Sequence, residues 1–141
     1  MTEAMSEHPS YSVYFDYRVD IHRRRNRVTA TLDGKELGRT DHPLLVDEQD
    51  HGLVFYFPKS DVNFDLLRPI PDYHTRCPWK GEASYWSLAD GSEPIVWSYE
   101  DPRPEVIQLK DHVAFYQNIV TVALGVAPYL PRWNSPAAKK L

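Results

Sequence analysis

Short alternating runs separated by turn dipeptides constrain this chain most. Val28, Ala30 and Leu32 alternate with Thr29, Thr31 and Asp33, and Asp33-Gly34 follows at once. An Asp-Gly pair between alternating segments is a strong hairpin signal, because both central residues of the tight turn need positive φ. Leu37 starts the return strand. Leu44–Val46 and Leu53–Phe57 read as a second pair, joined across residues 47–52, with Pro58 stopping the second member. Ala83–Leu88 and Ile95–Tyr99 flank Asp90-Gly91, a further hairpin turn. Glu105–Leu109, Val113–Tyr116 and Ile119–Leu124 complete the sheet-like runs, although His112–Val122 also accepts a helical reading. One short helix of one or two turns is expected over residues 61–67, capped by Ser60 or Asp61 and ended by Pro69. Pro69 and Pro71 then begin a loop. The sum is a mainly β, mostly antiparallel single domain.

The 141 residues suffice for one real core. The expected layout is a flexible tail over 1–10, one β-rich domain over 11–127 and a proline-rich extension over 128–141. Within it, Tyr11–Val19 forms a strand or an arm lying on the domain. The net charge of −4 gives no general footprint for nucleic acid. Four arginines between His22 and Arg27 read as a solvated turn, with an anion site as the sharper alternative. A single cysteine excludes an internal disulfide and any zinc site needing two or four cysteines from this chain. No run approaches a membrane span, and the first ten residues lack the pattern of a signal peptide. A cytoplasmic location is the expectation.

Chemistry concentrates in residues 74–86, which hold His74, Cys77, Lys80 and three aromatics at the mouth of a strand. Cys77 is a nucleophile if a cation or histidine stabilises its thiolate, and Arg76, Lys80 and His74 are near in sequence. Its plain alternative is a buried small hydrophobe. Lys80, before Gly81, binds a carboxylate or phosphate or transfers a proton if desolvated; otherwise it is an exposed turn lysine. Tyr56 and Phe57 point to opposite faces of a strand, as do Tyr85 and Trp86, so one of each pair is free to face a cavity. Of these and Trp97, Tyr99, Phe115 and Tyr116 most must be core, as strand aromatics usually are, and the rest offer the aromatic lining of a small-molecule site. Asp61, His74, Lys80 and His112 are its polar candidates. His74, Cys77, His112 and Asp61 would also be the donors of a mononuclear metal site, on a weak spacing signal.

The ordered motifs Leu53–Val62, Asp65-Leu66-Leu67, Cys77–Trp86, Trp97–Pro102 and His112–Tyr116 together resemble the domain of unknown function 427 family over roughly residues 27–122. The resemblance implies coiled antiparallel sheets of the β-tent type. Other β-tent families commonly hold zinc through paired cysteines, which this chain lacks. A nucleotidyltransferase label is sometimes attached to the family. That chemistry needs spaced carboxylates for magnesium beside a phosphate-holding Gly-Ser turn. Asp61 and Asp65 have helical spacing, but Gly91-Ser92 follows them rather than preceding them.

The expected function is a cofactor-independent enzyme or ligand-binding domain for an anionic or polar metabolite. Isomerisation, cyclisation, dehydration or hydrolysis would be its acid–base chemistry. Lys80, Asp61, His74 and Cys77 are its catalytic candidates, with Asp61 or His74 as the acid–base partner of Lys80. Tyr56, Tyr85, Trp97, Tyr99, His112 and Tyr116 are its binding candidates. A non-catalytic protein or peptide module is the first alternative and a metal-dependent nucleotidyltransferase the second. The partners expected are a small-molecule ligand, neither nucleic acid nor membrane, with a homodimer left open.

Overall fold

The computed structural model describes residues 17–125. The tail over 1–10, most of the 11–19 arm and the 128–141 extension lie outside the described residues. Ten strands run in chain order: β1 (Val19–Arg23), β2 (Val28–Leu32), β3 (Lys35–Thr40), β4 (Leu44–Glu48), β5 (Gly52–Pro58), β6 (Leu67–Cys77), β7 (Gly81–Leu88), β8 (Val96–Tyr99), β9 (His112–Phe115) and β10 (Thr121–Leu124). They form a seven-stranded sheet, β1-β4-β5-β9-β8-β7-β6, and a three-stranded sheet, β10-β2-β3. Every pairing is antiparallel. No described helix is long and apolar enough to cross a membrane.

Alternation along the strands gives the large sheet two different faces. Phe57, Val96, Val113 and Phe115 point to one side and meet Val28, Ala30 and Leu37 of the small sheet. Phe57 and Phe115 lock this layer in an edge-to-face pair with centroids 5.0 Å apart. Leu44, Val46, Tyr56, Ala83, Tyr99 and Ala114 point to the other side, where Val106 and Leu109 cover them. Tyr56 and Phe57 therefore serve opposite faces, and so do Tyr85 and Trp86.

Asp33 and Gly34 both have positive φ, 51° and 80°, as the tight turn between β2 and β3 demands. Several local expectations are corrected. Residues 59–66 form two 3-10 turns, Lys59–Asp61 and Phe64–Leu66, instead of one helix. The cap is Asn63, whose side chain accepts from the Asp65 N–H at 3.1 Å. The stretch after Pro69 is strand β6, an edge strand where proline's missing N–H is tolerated. Its register breaks between Pro69 and His74, around Asp72 at φ 56°. Asp90-Gly91 opens a longer connection, with β8 starting only at Val96. Pro104–Leu109 is a 3-10 segment, and 112–124 is strand, turn and strand. For β6 and for residues 112–124, pairing into the sheets outweighed the local pattern.

Candidate functional site

The second face of the large sheet is only partly covered, and a cavity of about 500 Å³ opens there. Val46 and Glu48 of β4, Val54 and Tyr56 of β5, and Trp97 and Tyr99 of β8 form its floor. The β6–β7 turn, Cys77-Pro78-Trp79-Lys80, forms its rim, with Arg76 and His51. The β4–β5, β5–β9 and β9–β8 pairings place these strands in one sheet, with β9 between β5 and β8, so residues far apart in sequence share one face.

Gly81 makes the turn possible. Its φ is +120°, and a Cβ there would sit 3.3 Å from the Asp101 carbonyl. The Arg103 N–H donates to the Lys80 carbonyl at 3.0 Å, fastening the turn to the segment after β8. Lys80 is thereby directed inward. Its side chain is only 8% exposed, and it pairs with Glu48, 5% exposed. The exposed-lysine reading is thus corrected. Burying two charges is costly unless each is matched and further bonded. Glu48 gains the second partner: Tyr17 donates its hydroxyl to Oε2 at 2.5 Å. His51 Nε2 lies 3.7 Å from the same oxygen, and the Lys80 ammonium stands 5.7 Å from the Tyr99 ring centroid. Tyr17 also stacks on Trp79 at 4.1 Å, closing one side of the ion pair.

Three phenols at this site are held protonated well above their ordinary range. Burial is the main cause at Tyr56 and Tyr99. At Tyr17 burial comes first and the bond to the Glu48 carboxylate second. Tyr56 accepts from Trp97 Nε1 at 3.1 Å, which fixes the aromatic floor. A shallower cleft of about 450 Å³ shares His51, Trp97 and Tyr99 and adds Tyr85, Tyr116 and Asn118. Burial, followed by the neighbouring Tyr85, pushes the Tyr116 phenol up to about 12. Trp97 and Tyr116 meet edge to face, with centroids 5.2 Å apart.

Of the residues expected from sequence, Lys80, Cys77, Tyr56, Trp97 and Tyr99 line the cavity, and Tyr85 and Tyr116 line the adjoining cleft. The other three lie elsewhere. Asp61 accepts from Thr40 Oγ1 at 2.6 Å, beneath the small sheet. It and Asp65 occupy separate 3-10 turns and share no helix face. His74 lies on β6 in a different, charged cleft. His112 binds its Nδ1 to the Lys110 carbonyl at 2.8 Å, away from the cavity. Among the described residues no group of three His, Cys, Asp or Glu side chains is placed to hold a metal ion. Glu48, His51, Trp79 and Tyr17 escaped sequence reasoning. Only the end of an alternating strand, Leu44-x-Val46-x-Glu48, signalled that Glu48 shares a face with core residues.

The family model described as Domain of unknown function (DUF427) matches residues 20–125. The chain belongs to the DUF427 family. Glu48, Lys80, Cys77 and the aromatic floor all fall inside the matched region of this DUF427 domain, whereas Tyr17 falls before it. No curated protein matches the chain.

Proposed function

We propose that this DUF427 domain is a small-molecule enzyme that moves protons without a cofactor, in the cavity between Glu48 and the Cys77–Lys80 turn. The observation that carries the reading is the buried Lys80–Glu48 pair in the wall of an aromatic cavity. Size and lining support it: about 500 Å³, with apolar and aromatic walls and a few convergent polar groups, is the usual make-up of a metabolite site.

The pairing refines the chemistry. Lys80 already has its counter-charge, so the cavity favours a polar ligand over a strongly anionic one. A carboxylate and an ammonium in contact form a matched base and acid. Glu48 takes a proton from one substrate atom and Lys80 delivers one to another. The proton on Glu48 then returns to Lys80 through their mutual hydrogen bond. No atom or electron is gained or lost, so isomerisation by proton shift needs no co-reactant. Cyclisation, dehydration and hydrolysis use the same donor and acceptor. Glu48 takes the partner role that sequence reasoning gave to Asp61 or His74.

The test is a thermal-shift screen of the full chain against metabolites, followed by turnover assays on any ligand found. A ligand that binds only the folded state raises the melting temperature by mass action. The Glu48→Gln/Lys80→Gln double variant keeps polar groups at both positions and removes the proton donor and acceptor. It should still bind the ligand while turnover falls about 10²–10⁴-fold. Absence of any stabilising metabolite, or full turnover in the double variant, overturns the reading. Ligand binding without turnover in the wild type would favour the non-catalytic alternative.

A further inference from the structure

The β6–β7 hairpin also borders a second, charged cleft of about 400 Å³, whose lining includes His74, Arg76, Glu82, Ser84, Asp101 and Arg103. Register explains its composition. His74 faces Ser84 and Arg76 faces Glu82 across the pairing. Strand alternation turns these four away from Thr75, Ala83 and Tyr85.

Its charges are poorly matched. Arg76 Nη2 is 3.8 Å from Glu82, His74 is 3.7 Å from the same carboxylate, and Arg103 Nε is 3.6 Å from Glu105. Charge-assisted bonds normally close to about 2.7–2.9 Å. Arg103 Nε is moreover buried without any hydrogen-bond partner, although the side chain as a whole is 30% exposed. The guanidinium, held by Glu105 only at 3.6 Å and partly exposed, can turn its outer nitrogens to an acceptor in the cleft. Glu100 is engaged by Lys59 at 3.0 Å. Asp101 also lines the cleft.

We infer that this cleft binds a small zwitterion of the amino-acid type. Its carboxylate would lie on Arg103 and Arg76, and its ammonium would face Asp101. Guanidinium donors suit a carboxylate because their planar fork matches its two oxygens. A simple anion would have to approach Asp101 and Glu82 uncompensated, whereas a zwitterion answers both signs. Arg76 borders both this cleft and the cavity proposed above, but the inference does not depend on that cavity's chemistry.

The test is amide NMR titration of the full chain with the common L-amino acids, one at a time. At least one should give saturable shifts centred on residues 82–84 and 100–103. Its amide and its N-acetyl derivative, each lacking one charge, should bind at least about tenfold more weakly, the scale of one lost charged hydrogen bond. Arg103→Gln should weaken binding as much while leaving the melting temperature unchanged, and Arg103→Lys serves if the first variant does not fold. Acetate and inorganic phosphate are the control anions. The inference fails if no amino acid saturates, if either control anion binds as tightly as the zwitterion, or if both Arg103 variants bind normally.

Discussion

Glu48 and Lys80 stand 32 positions apart in the chain and meet inside it as a buried ion pair. Removing one partner leaves the other charged and dry, so Glu48→Gln or Lys80→Ala alone should lower stability by about 3–5 kcal/mol. Replacing both with apolar residues of similar volume, Glu48→Leu with Lys80→Met, should recover most of that loss. Denaturant unfolding of the wild type, Glu48→Leu, Lys80→Met and the Glu48→Leu/Lys80→Met double variant, a closed double-mutant cycle, checks this, and strictly additive losses would contradict it. Activity loss in Lys80→Ala alone is consequently no sign of catalysis, because the fold suffers too. Gly81 is the second residue on which the site depends. With φ at +120° and the Asp101 carbonyl 3.3 Å from any added Cβ, Gly81→Ala should cost about 1–3 kcal/mol and open the turn that aims Lys80 inward. Equal melting temperatures for the variant and the wild type would refute the second claim.

At the scale of elements, the β6–β7 hairpin borders two clefts, and its Arg76 lines both. Cys77 and Lys80 border the aromatic cavity, while His74, Ser84 and Glu82 border the charged cleft. The β2–β3 hairpin has a simpler duty, bringing Val28, Ala30 and Leu37 onto the large sheet. Gly34 at φ +80° has open space around it, so Gly34→Ala is strained by backbone conformation alone. A loss of about 1–2 kcal/mol is expected, read as a lower denaturation midpoint with an unchanged slope. The layer beneath is less forgiving. Phe57→Ala removes a fully buried ring from its pairing with Phe115 and should cost about 3–5 kcal/mol.

For the whole molecule, burial of phenols gives a defined alkaline limit. Tyr17, Tyr56, Tyr99 and Tyr116 all have raised values in the fold. Unfolded tyrosines ionise near the ordinary value of 10.0, while Tyr116 in the fold waits until about 12 and the other three longer still. Between those limits the native state binds more protons than the unfolded state, so stability falls as pH rises. This contribution is fully present below pH 10 and is lost as the folded values are passed. Melting temperatures should therefore drop steadily above pH 10, and phenolate absorbance should show a class of tyrosines that ionises only on unfolding. A flat melting curve through that range would contradict the assignment.

Sequence alone determined the antiparallel β class, the Asp33-Gly34 turn, the family, and the opposite facings of Tyr56 and Phe57 and of Tyr85 and Trp86. These follow from side-chain period and backbone sterics, which act between near neighbours. It also marked Cys77 and Lys80, because a dense cluster of reactive groups beside a Pro and a Gly is visible locally. Only the tertiary structure decided which groups those residues meet. Asp61 and His74 were plausible partners for Lys80 by type, yet the sheet order β1-β4-β5-β9-β8-β7-β6 seats them elsewhere, and Glu48 with Tyr17 meets Lys80 instead. Sheet order and register fix contacts between distant positions through shared burial, and no local pattern encodes that sum.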